Sequence, residues 1–455
     1  METTQKYHAI KVDALKCIGC VHCMKACPTE AIRIENGVAT IREERCVDCG
    51  NCLRACPVDA FYVEQDSLDQ LNYFKYRVVL FPSVMVGQFP EIFSEDHIYQ
   101  ALLKLGFTHI FEVEQPIQWL LDSLKNEVRK SENRPVISSF CPAIVRLIQI
   151  KYPTLAQNIA PLKAPHDLAA YYAIAELAKK GIKRDEVGIF YVSPCSAKMA
   201  AVKRPLGEKS SIVDGLINMN ELYNQIMRII STVAETNTSH LRENLSSDGI
   251  LWCLPRGEAR KFSRRAMAID GIHNVVKFLE RLENEEVPEL DFLELKSCDQ
   301  GCAGGILLTG NRFLTVERLQ NRAKQYLPAL KLQTDNSNQS IIRQKLIAEP
   351  IQPKPVFRLD TDRIKALTKL RKIDKILCQL PGIDCGGCGA PNCHALAEDM
   401  VQGTAKMTDC IFLQKRYLRD GKVTIKKIFK NLDRTWGENR IEADCTKKGG
   451  RNEGF

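Results

Sequence analysis

The sequence predicts an α+β multidomain chain on three observations. A cysteine ladder is repeated near the N-terminus, short β-rich runs then alternate with helical stretches, and a further cysteine set follows a proline-bearing linker. At 455 residues, 45% hydrophobic and 26% charged, the chain has the length and composition of a globular protein of several domains. The boundaries read as residues 1–72, 73–331, a linker over 332–358, 359–420 and a basic tail over 421–455. No apolar run approaches the roughly 18–20 residues a membrane span needs. The opening METTQKYHAIKVDALK lacks the basic start and apolar core of a secretory signal, so a cytoplasmic location is expected. The net charge of +9 is spread along the chain, which suits a solvated surface or a docking face for an acidic electron carrier, and no nucleic-acid partner is expected. Nineteen cysteines without an export signal point to metal ligation in a reducing compartment, not to a disulfide framework.

Residues 17–28 read CIGCVHCMKACP and residues 46–57 read CVDCGNCLRACP, the same C-x2-C-x2-C-x3-C-P pattern displaced by 29 positions. Four thiolates suit the soft iron of a cubane, and in this spacing the fourth cysteine of each run closes the other run's cluster. Cluster one is then Cys17, Cys20, Cys23 and Cys56, and cluster two Cys46, Cys49, Cys52 and Cys27. Zinc also accepts C-x2-C pairs, but a third cysteine at the same interval followed by C-P is poor zinc geometry. Residues 1 to about 70 resemble a bacterial two-cluster 4Fe-4S ferredoxin, with Pro28 and Pro57 turning the chain and TEAI and VDAF packing behind the clusters. That resemblance implies electron relay.

From Tyr76 onward YRVVLFP, HIFEV, PVISSF and VGIFYVS read as strands, and EDHIYQALLKLGF, IQWLLDSLKNEVRK, CPAIVRLIQIKY and HDLAAYYAIAELAKKG as helices. Such alternation predicts mostly parallel sheet, whose sites form at the carboxyl ends of strands. Cys141 and Cys195 lie at two such ends, and Cys298 and Cys302 follow the run LDFLELK beside Gly304 and Gly305, which let backbone approach a cofactor closely. A lone buried cysteine is ordinarily a small core residue, and that reading is kept for Cys253.

These segments resemble the three cysteine motifs of the catalytic domain of FeFe (iron-only) hydrogenases, approximately TSCCP, MPCxxKxxE and ACxxGCxxGGG. The resemblance implies that Cys141, Cys195, Cys298 and Cys302 hold the cubane of an H-cluster, with Cys302 bridging to a diiron subsite that carries carbon monoxide and cyanide. In the family that subsite splits hydrogen heterolytically, and its azadithiolate amine handles the proton. Lys198 stands at the position of the lysine that bonds a cyanide, as a cation does well in a dry pocket; the bland alternative is a surface lysine. The implied partners are H2 and protons, a ferredoxin or another redox or signalling protein, and the hydrogenase maturation proteins.

The chain departs from those motifs at defined positions. The proton-relay cysteine is replaced by Phe140, whose ring has no exchangeable proton. The methionine of the second motif is Ser193, and its glutamate is missing from SAKMAAVK. Loss of the relay thiol with retention of all four cluster cysteines and the lysine resembles the hydrogenases assigned a sensory role, which turn over slowly. That implies an H2-sensing or signalling oxidoreductase. The alternative is a non-catalytic iron-sulfur electron-transfer or scaffold protein that lacks the diiron subsite.

After QTDNSNQS and AEPIQPKPVFRL, a helical run leads into Cys385-x2-Cys388-x4-Cys393-x16-Cys410 around a glycine-rich loop. This resembles the small four-cysteine 4Fe-4S domain of Rnf-type electron-transport proteins and corrinoid proteins, also found behind the catalytic domain of sensory hydrogenases. Zinc is the alternative metal. Three 4Fe-4S clusters and an H-cluster are thus expected in all. His394 is read as a helix-surface residue and Cys378 as core, while Cys445 is unassigned. The tail over 421–455, nine Lys+Arg against five Asp+Glu, is a candidate partner contact.

Overall fold

The computed structural model of the chain describes residues 7–262, 265–329, 342 and 344–438. Residues 332–341 and 343 of the sequence-assigned linker over 332–358 and the end of the tail over 439–455, Cys445 with it, lie outside the described residues. The chain divides into two compact units. One holds the N-terminal residues to Ile10, Val47–Gly50 and Val63–Pro355, and the other holds Lys11–Cys46, Asn51–Tyr62 and Val356–Phe455.

The larger unit is built on two parallel sheets. In the first, the strands run in the order His109–Glu112, Tyr76–Phe81, Val187–Ser193, Gly215–Asn218. Every residue of Val187–Ser193 is buried, as a central parallel strand covered on both faces requires. The second sheet has the order Ala266–Asp270, Phe292–Lys296, Val136–Ile137, with Phe292 opposite Val136 and Leu293 opposite Ile137.

Helices pack on these sheets by their apolar stripes. In Ile117–Lys130 the buried Ile117, Leu120, Leu121, Leu124 and Val128 recur at helical spacing. Glu95–Lys104 starts at Ser94, whose hydroxyl accepts from the N–H of His97 while the His97 ring accepts from the Ser94 N–H. The mostly parallel sheet read from the sequence is realised as two. Val136–Ile137 takes its ladder partners from Phe292 and Leu293, far along the chain, a pairing that no local pattern encodes.

The smaller unit joins the cysteine ladder to the C-terminal helices. An antiparallel hairpin, Ile32–Glu35 with Val38–Ile41, turns at Asn36 and Gly37, both at positive φ (50° and 77°), the conformation of a tight two-residue turn. The C-terminal helices are Arg363–Leu377, Cys393–Val401, Ile411–Arg419 and Ile425–Trp436. Buried ion pairs tie them to the hairpin region: Asp399 accepts from Arg33 Nε at 2.7 Å and from Arg42 at 2.7 Å, and Glu398 accepts from Arg45 at 2.9 Å. The turn itself donates N–H groups of Asn36 and Gly37 to the carbonyls of Arg434 and Thr435, each at 2.9 Å. No helix among the described residues is long and apolar enough to cross a membrane.

Candidate metal centre

Strand ends of the larger unit deliver the thiols of the middle segment to one cavity. Cys195 follows Val187–Ser193 and caps the helix Ser196–Lys203, Cys141 caps Pro142–Lys151 with Pro142 at its first position, and Cys298 follows Phe292–Lys296. All four of Cys141, Cys195, Cys298 and Cys302 line the cavity, with Lys198, Phe140, Trp252 and Gly305. Cys49 of the ladder lines it as well.

The glycines make the close approach possible. A Cβ on Gly304 would sit 1.9 Å from the carbonyl oxygen of Asp299, and one on Gly305 would sit 2.5 Å from that of Pro194. Ser193 is fully buried, and its hydroxyl donates to the Cys195 carbonyl at 2.8 Å and accepts from the Cys195 N–H at 3.4 Å. It holds the turn that carries Cys195.

Desolvation sets the electrostatics. It pushes the Cys195 thiol up to about 12 against the pull of Lys198, and raises Cys141 against backbone N–H groups of Ser297 and Ile144. A metal centre must therefore displace protons on binding. Lys198 Nζ lies 3.4 Å from Cys302 Sγ. Desolvation works against its charge, yet Cys302, Tyr191 and Cys195 hold its pKa well above the ordinary lysine value. Four soft donors, two cations on the cavity wall, Lys198 and Lys296, and a glycine-lined approach fit an iron-sulfur group.

Two acids border the same cavity that no sequence pattern singled out. Glu114 is raised to about 8 by burial and by the neighbouring Glu112. Glu258 is raised to about 8 by burial and by Glu294. Glu258 accepts from the Ser138 hydroxyl, while Glu294 accepts from the N–H groups of Glu258 and Ala259 at 3.0 and 2.8 Å and pairs with Lys296 at 2.7 Å. A folded-state carboxyl raised in this way binds a proton that the unfolded chain has released. Stability therefore falls as the pH rises from the ordinary 4.5 toward 8. Glu114→Gln removes one such group. The drop in thermal midpoint of the cluster-loaded protein between pH 5.5 and pH 8 is expected to shrink, by on the order of 2 kcal/mol in stability; equal drops in the two proteins would refute the assignment.

Phe140, at 7% exposure, stacks obliquely on Trp252 with ring centroids 5.5 Å apart and belongs to the apolar core around Leu162 and Phe292. Cys253 is buried as expected of a core cysteine, but it also lines the cavity.

In the smaller unit the ladder folds as its duplication implies. The N–H of Ala31 points at Cys27 Sγ and that of Ala60 at Cys56 Sγ, both at 3.3 Å, so corresponding residues of the two repeats do the same work. Burial pushes Cys23 up to about 12, with Cys20, Cys17 and Cys56 adding to the shift; these four are thus close neighbours. Cys46 and Cys52 belong to the second repeat, Cys52 buried and Cys46 half-buried. In the C-terminal segment burial raises Cys388 to about 12, with Cys410 and Cys385 contributing, and Cys410 feels Cys393 and Cys385. The Gly387 N–H meets Cys385 Sγ at 3.4 Å. His394 is an exposed helix residue beside Glu398 at 3.5 Å, as read. Cys378 is a correction: it caps the end of Arg363–Leu377 and is exposed, because that helix buries Ile373 on the side facing its neighbours.

Comparison with known proteins places these parts in a class. Residues 76–249 match the family described as iron only hydrogenase large subunit, C-terminal domain, residues 16–60 match the 4Fe-4S dicluster domain, and residues 380–412 match an Fe-S cluster family. The chain thus combines an N-terminal region like a 4Fe-4S dicluster, a central hydrogenase-like domain built on parallel sheets, and a C-terminal region like an iron-sulfur domain. The hydrogenase match takes in Cys141 and Cys195 and ends before Cys298 and Cys302.

Among curated relatives the chain is 24% identical over 260 residues to Iron hydrogenase 1 of Clostridium pasteurianum, covering 46% of this chain and 44% of that one. It is 31% identical over 241 residues to the periplasmic Fe hydrogenase large subunit of Nitratidesulfovibrio vulgaris, covering 48% of this chain and 57% of that one. The chain spans about half the length of these relatives. A further stretch of 38 residues is 47% identical to a component of the ion-translocating oxidoreductase complex of Rhodobacter capsulatus, covering 8% and 20% of the two chains. Among solved structures, a variant of FeFe-hydrogenase HydA1 from Chlamydomonas reinhardtii aligns with TM-score 0.47 at 16% identity, over 64% of this chain and 98% of that one.

Proposed function

We propose that the protein is an FeFe-hydrogenase-like oxidoreductase that interconverts H2 with protons and electrons at a low rate and serves in H2 sensing or signalling. The observation that carries the reading is one cavity lined by Cys141, Cys195, Cys298 and Cys302 with Lys198, and with Phe140 on its wall next to Cys141. A cubane with a diiron subsite, held by those four thiolates, would supply the site at which H2 is cleaved. Lys198 supplies the positive charge beside Cys302. The Phe140–Trp252 pair excludes water from the side where a thiol would pass protons. Proton exchange then falls to carboxyls: Glu258, protonated at neutral pH and bonded to Ser138, holds a proton at the cavity wall, and the Glu294–Lys296 pair behind it fixes its position. Electrons would leave by way of Cys49, which lines the same cavity.

The test is an infrared spectrum of protein produced with the hydrogenase maturation proteins, taken under argon and then hydrogen. Carbonyl and cyanide bands that shift with hydrogen support the reading. Full cubane iron without such bands leaves the alternative, a non-catalytic electron-transfer or scaffold protein. In the matured protein Phe140→Cys is expected to raise H2 turnover by about 10-fold or more, since a positioned acid contributes roughly 10²–10⁴. No gain in a matured sample means that proton delivery at this position does not limit the rate.

A further inference from the structure

We propose that the helix Arg363–Leu377 is a docking surface for an acidic one-electron carrier protein, which exchanges electrons with the C-terminal cysteine set beneath it. The inference rests on the iron-sulfur assignment of that set and is independent of any chemistry on hydrogen.

The helix is under-buried for its composition. Of the fifteen residues RIKALTKLRKIDKIL only Ile373 is fully buried. Ile364, Leu367 and Leu370, spaced i, i+3, i+6 along one ridge, are 76%, 57% and 45% exposed. Leaving three large aliphatic side chains in water forgoes burial energy that a folded helix ordinarily recovers. The helix carries six cations, Arg363, Lys365, Lys369, Arg371, Lys372 and Lys375, against the single acid Asp374; Arg363, Arg371 and Lys375 flank the ridge, and Asp374 lies on it one turn beyond Leu370. Lys369 is engaged by Asp360 at 2.9 Å, and the other five are exposed.

The opposite side of the same helix explains why the partner is a redox protein. Ile373, Ile376, Leu377 and Leu380 pack into one apolar cluster with Cys388, Cys393 and Cys410. The outer ridge therefore lies about one helix diameter, roughly 10–12 Å, from the thiols. Cys385, the fourth of the set, is exposed on the adjoining loop. An apolar ridge flanked by Arg363, Arg371 and Lys375, on a helix with six cations and one acid, complements a carrier whose own contact patch is apolar with an acidic rim. The exchange is one electron from the reduced carrier to the C-terminal cluster; no bond or proton moves.

The test uses the full chain with its clusters loaded and reduced plant-type ferredoxin as the acidic probe, following the bleaching of iron-sulfur absorbance by stopped flow. Protein made without maturation partners serves equally, so failure here is separable from failure of the hydrogenase reading. The double variant Arg371→Glu/Lys375→Glu is expected to slow bimolecular reduction about tenfold or more at low salt, the gap closing as salt is added. Leu367→Ser is expected to slow it at every salt concentration. Reduction by methyl viologen, which needs no docking, is expected to be equal in all variants. Equal rates with ferredoxin, or a loss that viologen reproduces, overturns the proposal. So does binding of the helix to anionic lipid vesicles with the ferredoxin rate unmoved by charge reversal.

Discussion

Lys198→Met is expected to lower H2 turnover of the matured protein by about 10²–10³ while leaving its cubane iron content within the ordinary range. Methionine keeps the length and much of the volume of the lysine, so the substitution isolates the charge. Lys198 sits one turn into the helix that Cys195 caps, half-buried on the cavity wall, with its ammonium 3.4 Å from Cys302 Sγ. It is the cation that raises the ionised fraction of Cys195 against desolvation. Without it the thiolates of the cavity lose their nearest cation, leaving Lys296, which is already paired with Glu294, and that loss is costly in a low-dielectric site. Cysteine ligation to iron would offset that cost for a cubane, whereas the proposed anionic diiron subsite would depend on the cation directly. The expected signature is loss or weakening of the carbonyl and cyanide bands per cubane, with partial recovery in Lys198→Arg. Unchanged bands and turnover in Lys198→Met would reduce Lys198 to a packing cation.

The repeat of the cysteine ladder was legible because it is written in spacing. Two C-x2-C-x2-C-x3-C runs define a duplication, and the structure repeats it down to the N–H bonds of Ala31 and Ala60 to their sulfurs. Strand ends before Cys141 and Cys195 were legible from β-rich runs, and both strands form, whereas LDFLELK before Cys298 reads only as an apolar-acidic run and proves to hold the strand Phe292–Lys296. What the sequence did not disclose is non-local. Glu114 and Glu258 look like any other glutamates in a charged chain, and only the fold puts them on the cavity wall, where burial holds their protons. Cys378 was misplaced for the same reason, since an apolar helix with a cationic outer face buries only one side and the cap falls on the other. Likewise Arg33, Arg42 and Arg45 read as scattered basic residues, yet they hold Asp399 and Glu398 from a segment more than 350 positions away.

Arg322→Met is expected to destabilise the larger unit by about 3–5 kcal/mol at pH 7, the cost of leaving the buried Glu112 carboxylate without its cation while Glu95 retains only Arg242. Arg322 bonds both oxygens of Glu112, one of them at 2.9 Å, and both oxygens of Glu95 at 2.9 and 3.1 Å, with Tyr99 donating to Glu112 and Tyr326 to Glu95 at 2.6 Å. Burial alone would raise Glu95, yet the guanidinium, assisted by Tyr326 and Arg242, brings it down to about 2. A depressed carboxyl contributes stability that is present above the ordinary 4.5 and is lost as the pH falls toward 2. The deficit of the variant is therefore expected to narrow as the pH is lowered toward the carboxylate range, where a protonated acid no longer needs the guanidinium. Adding Glu95→Gln and Glu112→Gln to Arg322→Met removes the orphaned charges and is expected to recover most of the loss, because neutral replacement of a whole buried ionic set is far less costly than breaking it. Urea or thermal unfolding of the cluster-loaded proteins reads both effects. A triple variant as unstable as the single one would mean that Arg322 acts by packing between the strand ending at Glu112 and the helix starting at Glu95, not by charge. The same network leads back to the cavity, since Ser83 donates its hydroxyl to Glu112 and its N–H to Glu114. The Glu112 charge that Arg322 holds in place thus also helps to keep Glu114 protonated, at the wall where H2 chemistry is proposed.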